Sequence, residues 1–140
     1  MSDSPPEKTR MEYRVPYADT DQMGVVYYAN YLVYFERMRN ELLRDLGVTY
    51  KEMEAAGIML PVMEAHCDYL KPARYDDLLE IRGWSETIGR TRIKCRAEVA
   101  RGEELLASGY TIHACLSIET GRPVRLPAGV FPPVSTPASE

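Results

Sequence analysis

One apolar stripe at helical spacing, followed by a lasting change to period two, limits what this chain can fold into. Tyr31, Phe35, Met38, Leu42 and Leu46 step by four, three, four and four residues, which lines one face of an α-helix. Leu32, Tyr34 and Leu43 widen that face, and Glu36, Arg37, Arg39, Asn40, Glu41, Arg44 and Asp45 cover the rest. A helix is therefore expected from Tyr28 or Asn30 to Leu46, with Asn30 as N-cap and Gly47 as its stop. A stripe this wide calls for a helix embraced by other structure. A shorter helix is expected from Thr49 to Ala56, ending at Gly57.

Strands flank the helices. Thr9, Met11, Tyr13 and Val15 alternate with Arg10, Glu12 and Arg14, as in a half-buried strand, and Pro16 to Tyr28 is a loop punctuated by Gly24. After Pro61, Met63, Ala65, Cys67 and Tyr69 alternate with Val62, Glu64, His66 and Asp68. A turn over residues 72–77 leads into a strand from Leu78 to Ile88. The next, Arg90 to Val99, sets Thr91, Ile93, Cys95, Ala97 and Val99 against Arg90, Arg92, Lys94, Arg96 and Glu98. The last, Leu105 to Ile118, is expected to bury Leu106, Tyr110, Ile112, Ala114, Leu116 and Ile118. Consecutive strands joined by turns this short pair antiparallel, so the pattern is α+β, one long helix on one curved antiparallel sheet.

Composition narrows the function. A net charge of −4 provides no global field for nucleic acid or an anionic membrane, and no apolar run has transmembrane length. Cys67, Cys95 and Cys115 are odd in number and far apart, which suits free thiols in a reducing cytosol. Residues Met1 to Arg10 contain no apolar segment of the secretory kind, so a cytoplasmic location is expected.

The chemistry concentrates in residues 17–31. Asp21 lies a few residues ahead of the expected helix start, where free backbone N–H groups and a partial positive charge collect. Such a start can polarise a carbonyl beside a carboxylate and so permit attack on an acyl group without a serine or cysteine nucleophile. The competing reading of Asp21 is a turn residue that bonds its own backbone. Residues 19–24 begin like a calcium loop, but the fifth position is Met23 and the twelfth is Asn30 instead of a bidentate Glu, so calcium is rejected and Asp19 is expected to cap or brace the loop. His66 and His113, in separate strands, are read as structural, and no Cys/His cluster suggests zinc.

The run Tyr17-x-Asp19-Thr20-Asp21-x-x-Gly24-Val25-Val26-Tyr27-Tyr28-Ala29-Asn30-Tyr31, then Phe35-Glu36-Arg37-x-Arg39 and Pro72-Ala73-Arg74-Tyr75-Asp76-Asp77-Leu78, resembles the acyl-CoA thioesterases of the hot dog fold. The branch it is most similar to contains 4-hydroxybenzoyl-CoA thioesterase and the Tol–Pal-associated thioesterase. The resemblance implies a long central helix wrapped by a sheet of five to six strands over residues 9–126, between a flexible arm (1–8) and a Pro-rich tail (127–140). It implies a homodimer joined sheet edge to sheet edge, pairing into a homotetramer, with the pocket at a subunit interface. It places the catalytic carboxylate at Asp21 and the carbonyl-binding N–H at Tyr28, where some relatives carry His. Gly24 and Val25 fall at substrate-binding positions, and Arg90 and Arg125 near the CoA phosphates. The implied activity is hydrolysis of an acyl-CoA to a carboxylate and CoA, with no metal or redox cofactor. The alternatives are an acyl carrier protein as the thioester carrier, and a non-hydrolytic protein that binds acyl-CoA.

Overall fold

The computed structural model describes residues 8–127. Expectations for the arm (1–7) and for the tail from 128 onward lie outside the described residues. Lys8, the last residue of the expected arm, is anchored: its Nζ pairs with Glu98 at 3.3 Å and lies 4.7 Å from the Trp84 ring centre.

Five strands, β1 (Thr9–Arg14), β3 (Val62–Tyr69), β4 (Leu78–Ile88), β5 (Arg92–Arg101) and β6 (Glu104–Ala114), form one antiparallel sheet in the order β1-β4-β5-β6-β3. Helix α1 (Asn30–Asp45) packs along its inner face, chiefly on β4 and β1. A short α2 (Tyr50–Ala55) and a two-stranded ribbon of β2 (Ile58–Met59) with β7 (Leu116–Ser117) close the far end. This is the expected α+β hot dog arrangement.

The close seating of α1 has a visible cause. Gly83, Ala97 and Gly109 are register partners across β4, β5 and β6. A Cβ at Gly83 would collide with the Met38 side chain, and one at Gly109 would collide with the His66 carbonyl and come within 2.8 Å of Phe35. Around this row Tyr31, Tyr34, Phe35 and Met38 bury against Leu79, Ile81 and Val99, while Leu42, Leu43, Val48, Met53 and Leu60 fill the other half against Ile93, Cys95 and Cys115.

Helix ends follow local chemistry. Gly47, at φ +82°, donates to the Arg44 carbonyl at 3.0 Å while Val48 N–H reaches Leu43 at 2.9 Å, a Schellman stop. Thr49 and Glu52 form a reciprocal capping box that starts α2. Asn30 is not the N-cap of α1. That position is Ala29, already helical and without a side-chain cap, and Asn30 is the first helical residue.

Two strand expectations are corrected. β5 begins at Arg92, because Gly89 (φ +62°) places Arg90 in the preceding turn. The expected strand from Leu105 to Ile118 breaks at Cys115, and of the six residues expected to be buried only Leu106 and Ala114 are. β6 pairs Ala100 with Leu105 and Val99 with Ala107, so Leu106 is an extra, bulged residue. Beyond it Thr111 and His113 turn inward, Tyr110, Ile112 and Leu116 are only half-buried, and Ile118 is exposed. Strand β3 is exposed on both faces apart from a half-buried Cys67, in keeping with its place at the sheet edge.

His113 is the structural histidine expected. Its Nδ1–H donates to the Leu60 carbonyl at 2.9 Å and its Nε2 accepts from the Thr111 hydroxyl at 2.8 Å. Burial, reinforced by the nearby Arg39 charge, pushes its pKa down to about 4.

Two outcomes are expected. Gly109→Ala costs about 2–3 kcal/mol, because the obstructing atom is backbone, whereas Gly83→Ala costs about 1 kcal/mol, because Met38 can shift. Urea midpoints at constant slope measure both. Between pH 6.5 and 4 the unfolded chain takes a proton on His113 that the native state refuses, so stability falls as pH falls through that window. The loss is about 3 kcal/mol at ~1.4 kcal/mol per pH unit, and it should be absent in His113→Gln when unfolding is measured at pH 7 and 4.5.

Candidate active site

Pro16 to Tyr28 is a tightly bonded loop. It opens with a single 3-10 turn, Tyr17–Asp19, and Thr20 then bridges to Val26 across the segment that carries Asp21. Inside that segment Asp21 N–H donates to the Val25 carbonyl at 2.9 Å and Gly24 N–H to the Asp21 carbonyl at 3.0 Å. Gly24 sits at φ +80° with open space around it, so backbone conformation, not crowding, calls for glycine there. Met23 N–H donates to Asp21 Oδ1 at 2.8 Å. Asp21 is thus the turn-forming residue of the bland reading, and its Oδ2 makes no hydrogen bond among the described residues. One oxygen fixes the side chain and the other is available.

The loop docks on the turn after β3. Val26 N–H donates to the Ala73 carbonyl at 2.8 Å, Val25 bridges to Arg74, and Ala73 N–H donates to the Tyr31 hydroxyl at 3.1 Å. Ala73 is fully buried at the docking point. The turn is braced by Asp77, whose Oδ2 accepts from Arg74 N–H at 2.8 Å and from Arg101 at 2.7 Å. The second motif of the sequence is therefore the seat of the first.

At the tip of α1 the amides of Asn30, Tyr31 and Leu32 bond back to the carbonyls of Tyr27, Tyr28 and Ala29 at 2.9–3.2 Å. The N–H groups of Tyr28 and Ala29 have no acceptor among the described residues. With no side-chain cap and no acidic residue in the first turn, the positive end of the helix is left uncompensated. Tyr69 OH, from β3, donates to the Tyr28 carbonyl at 3.0 Å and holds the peptide that follows the free Tyr28 amide. Beside it is a cavity of ≈ 250 Å³ lined by Val26, Tyr28, Tyr31, Tyr69, Leu70 and Pro72, with Lys71 at its edge. The Tyr69 ring meets Tyr31 and Tyr28 edge-on, at centroid distances of 5.2 and 6.3 Å.

Phenols surround the site. Burial raises the pKa of Tyr31 and pushes Tyr69 up to about 12. Interaction with the Tyr28 phenol raises Tyr27, and the Asp21 charge adds to the shift. Tyr27, Tyr31 and Tyr69 are thus held neutral near pH 7 and can donate protons in hydrogen bonds.

The expected site residues divide into two groups. Asp21, Gly24, Val25 and Tyr28 share the loop and helix tip, although Asp21 does not line the cavity itself. The segments that carry Arg90 and Arg125 run side by side, since Leu126 N–H donates to the Arg90 carbonyl at 2.9 Å, but they do so at the opposite end of the sheet. β4 starts beside the docking turn and ends next to Gly89, and its 11 residues span roughly 35 Å. Within one chain these arginines do not reach Asp21. Sequence reading missed Tyr69 and Ala73 as supports of the tip. The signal available for Tyr69 was its place on the Ala65, Cys67, Tyr69 face of its strand.

Residues 15–132 match the family model described as "Thioesterase-like superfamily". The chain is 34% identical over 118 residues to the putative acyl-CoA thioesterase YneP of Bacillus subtilis, covering 84% of this chain and 86% of that protein. It is 31% identical over 122 residues to the acyl-CoA thioester hydrolase YbgC of Escherichia coli, covering 86% and 91%. Among solved structures, a 1,4-dihydroxy-2-naphthoyl-CoA thioesterase from Synechocystis superposes with a TM-score of 0.80 at 27% identity, covering 86% of this chain and 90% of that one.

Proposed function

Because the chain belongs to the thioesterase-like superfamily, we propose that it is an acyl-CoA thioesterase that works at the tip of α1. The observation that carries the site assignment is the Tyr28 N–H, unpaired among the described residues, at an uncapped helix start, beside an aromatic-walled cavity and after the loop that carries Asp21. The thioester carbonyl oxygen accepts from Tyr28 N–H, and the helix end stabilises the negative charge that grows on that oxygen. A donor of this kind is worth about 3–4 kcal/mol in the transition state. Asp21 delivers the attack. As general base it takes a proton from water, hydroxide adds to the acyl carbon, the C–S bond breaks, and the CoA thiolate leaves and is protonated. As nucleophile its oxygen displaces the thiolate to give an anhydride that water then cleaves. Gly24 and Val25 form the substrate-facing turn of the Asp21 loop.

The long first motif supports the 4-hydroxybenzoyl-CoA and Tol–Pal-associated branch. The wall of Tyr28, Tyr31 and Tyr69 favours an aromatic acyl group, since edge-to-face ring contacts add about 1 kcal/mol over plain burial. The relative from Synechocystis is named for such a substrate.

A homodimer accounts for the remaining residues. β3 is an edge strand with both faces open, and antiparallel pairing with a second β3 would carry the partner's far end past this protomer's helix tip. Arg90 and Arg125 would then serve the CoA phosphates of the neighbouring site, where paired guanidinium donors suit phosphate. Pairing of dimers into a homotetramer, domain limits of 9–126 and a cytoplasmic location complete this reading; the three unbridged cysteines support the last.

Thiol release from a panel of aryl-, short- and long-chain acyl-CoAs tests the activity, with the same acyl groups on acyl carrier protein as the comparison. Hydrolysis of the CoA esters is expected, and binding without release would overturn it. Asp21→Asn should lower kcat by about 10²–10⁴-fold with an unchanged thermal melt. Near-normal turnover would remove Asp21 from the mechanism.

A further inference from the structure

Asp19 and Asp21 stand two residues apart in one motif, yet their surroundings differ. Tyr34 is 1% exposed, so water cannot satisfy its phenol, and Asp19 Oδ2 is its acceptor at 2.8 Å. Tyr13 OH donates to the same oxygen at 2.7 Å. One donor comes from β1 and the other from α1, and the two rings pack 4.9 Å apart with the Arg37 guanidinium over Tyr13. Burial and the Asp19 charge together push the Tyr34 phenol well above its ordinary range, so it stays a donor at any working pH. At its other end Asp19 is tied again: its backbone carbonyl accepts from Tyr27 N–H at 2.9 Å and from Asn30 Nδ2 at 2.9 Å. The carboxylate is moored to the core and the carbonyl to the helix tip. Asp21 follows this anchor by two residues, and Tyr28 follows Tyr27 by one.

We infer that Asp19, gripped by Tyr13 and Tyr34, is a positioning residue that sets the separation between the Asp21 carboxylate and the Tyr28 N–H. It rests on the thioesterase reading of that site. Asp19 touches no reacting atom; it acts by keeping the attacking oxygen and the carbonyl-binding amide in register, where a displacement of about 1 Å can cost 10²-fold.

The test compares wild type, Asp19→Ala, Asp19→Asn, Tyr34→Phe and the Asp19→Ala/Tyr34→Phe double variant, using a thioester the wild type cleaves. Readouts are kcat, KM, the thermal melt and amide hydrogen exchange over residues 20–30. Asp19→Ala and Tyr34→Phe should lower kcat by about 10–10²-fold with KM within about two-fold. Asp19→Asn, which keeps an oxygen acceptor in place, should recover most of the rate. The double variant should be no slower than Asp19→Ala, because both changes remove one contact. The Tyr27 and Asn30 amides should lose protection in Asp19→Ala while β5 keeps its own. Wild-type kcat in Asp19→Ala, losses that multiply in the double variant, or a rise in KM alone would each overturn the inference. If Asp19→Ala fails to fold, Tyr34→Phe, which keeps the Tyr13 bond, decides the same kcat question. If the wild type releases no thiol, the activity reading fails by itself, and unchanged Tyr27 protection in Asp19→Ala would then dispose of the tether as well.

Discussion

Gly83, Ala97 and Gly109 stand side by side across β4, β5 and β6, and the depth at which α1 lies on the sheet depends on that row. Phe35 and Met38 occupy the space that side chains there would fill. Sinking the helix lets Tyr31 and Tyr34 reach partners on either side of it: Ala73 in the turn after β3, and Asp19 in the loop after β1. A helix held farther out would lose both bonds at once, and its tip would lose the two segments that frame it. Packing at the centre of the sheet thereby controls polar geometry at one end of it.

That end also departs from ordinary helix construction. Most helices spend a Ser, Thr, Asp or Asn side chain on their first amides. α1 begins at Asn30 behind Ala29, with neither a side-chain cap nor an acidic residue in its first turn, whereas α2 in the same chain carries a full capping box. The contrast isolates what is unusual about α1: the omission occurs after the Asp21 loop, at a tip where the Tyr28 and Ala29 amides have no acceptor among the described residues and Tyr28 lines a cavity. The helix is held by its buried stripe, and in the proposed mechanism the open tip binds an oxygen from elsewhere.

Much of this was legible in the sequence. The stripe from Tyr31 to Leu46 located α1 within two residues at its start and one at its end, and period two found every strand of the main sheet. Asp21 stood out as a carboxylate ahead of a helix start, a local pattern, whereas Tyr28 came only from the family resemblance; their roles belong to the proposed mechanism. What failed was non-local. The bulge at Leu106 reverses the phase of β6, and nothing in the alternation of residues 105–118 announces it; the extra residue exists only relative to β5. Asn30 looked like a cap because residue type suggests one, but the chain is already helical at Ala29 and the Asn30 side chain serves the Asp19 carbonyl instead. The segments that carry Arg90 and Arg125 do pair, as linear position cannot reveal, and they do so far from Asp21.

The separation of those arginines from the carboxylate is informative about assembly. Both edges of the sheet carry charge: β1 has Arg10, Glu12 and Arg14 on its outer face, and β3 has Glu64, His66 and Asp68 exposed. Charged residues on an edge discourage pairing. On β3, Val62 and Met63 are exposed apolar side chains, and Tyr69 at its other end already holds the Tyr28 peptide. Under the proposed pairing, the strand that receives a second copy is the one hydrogen-bonded to the helix tip. Order gained by β3 on such pairing would pass through the Tyr69 hydroxyl to the peptide beside the Tyr28 amide, coupling the proposed assembly to the geometry of the proposed site by a single bond.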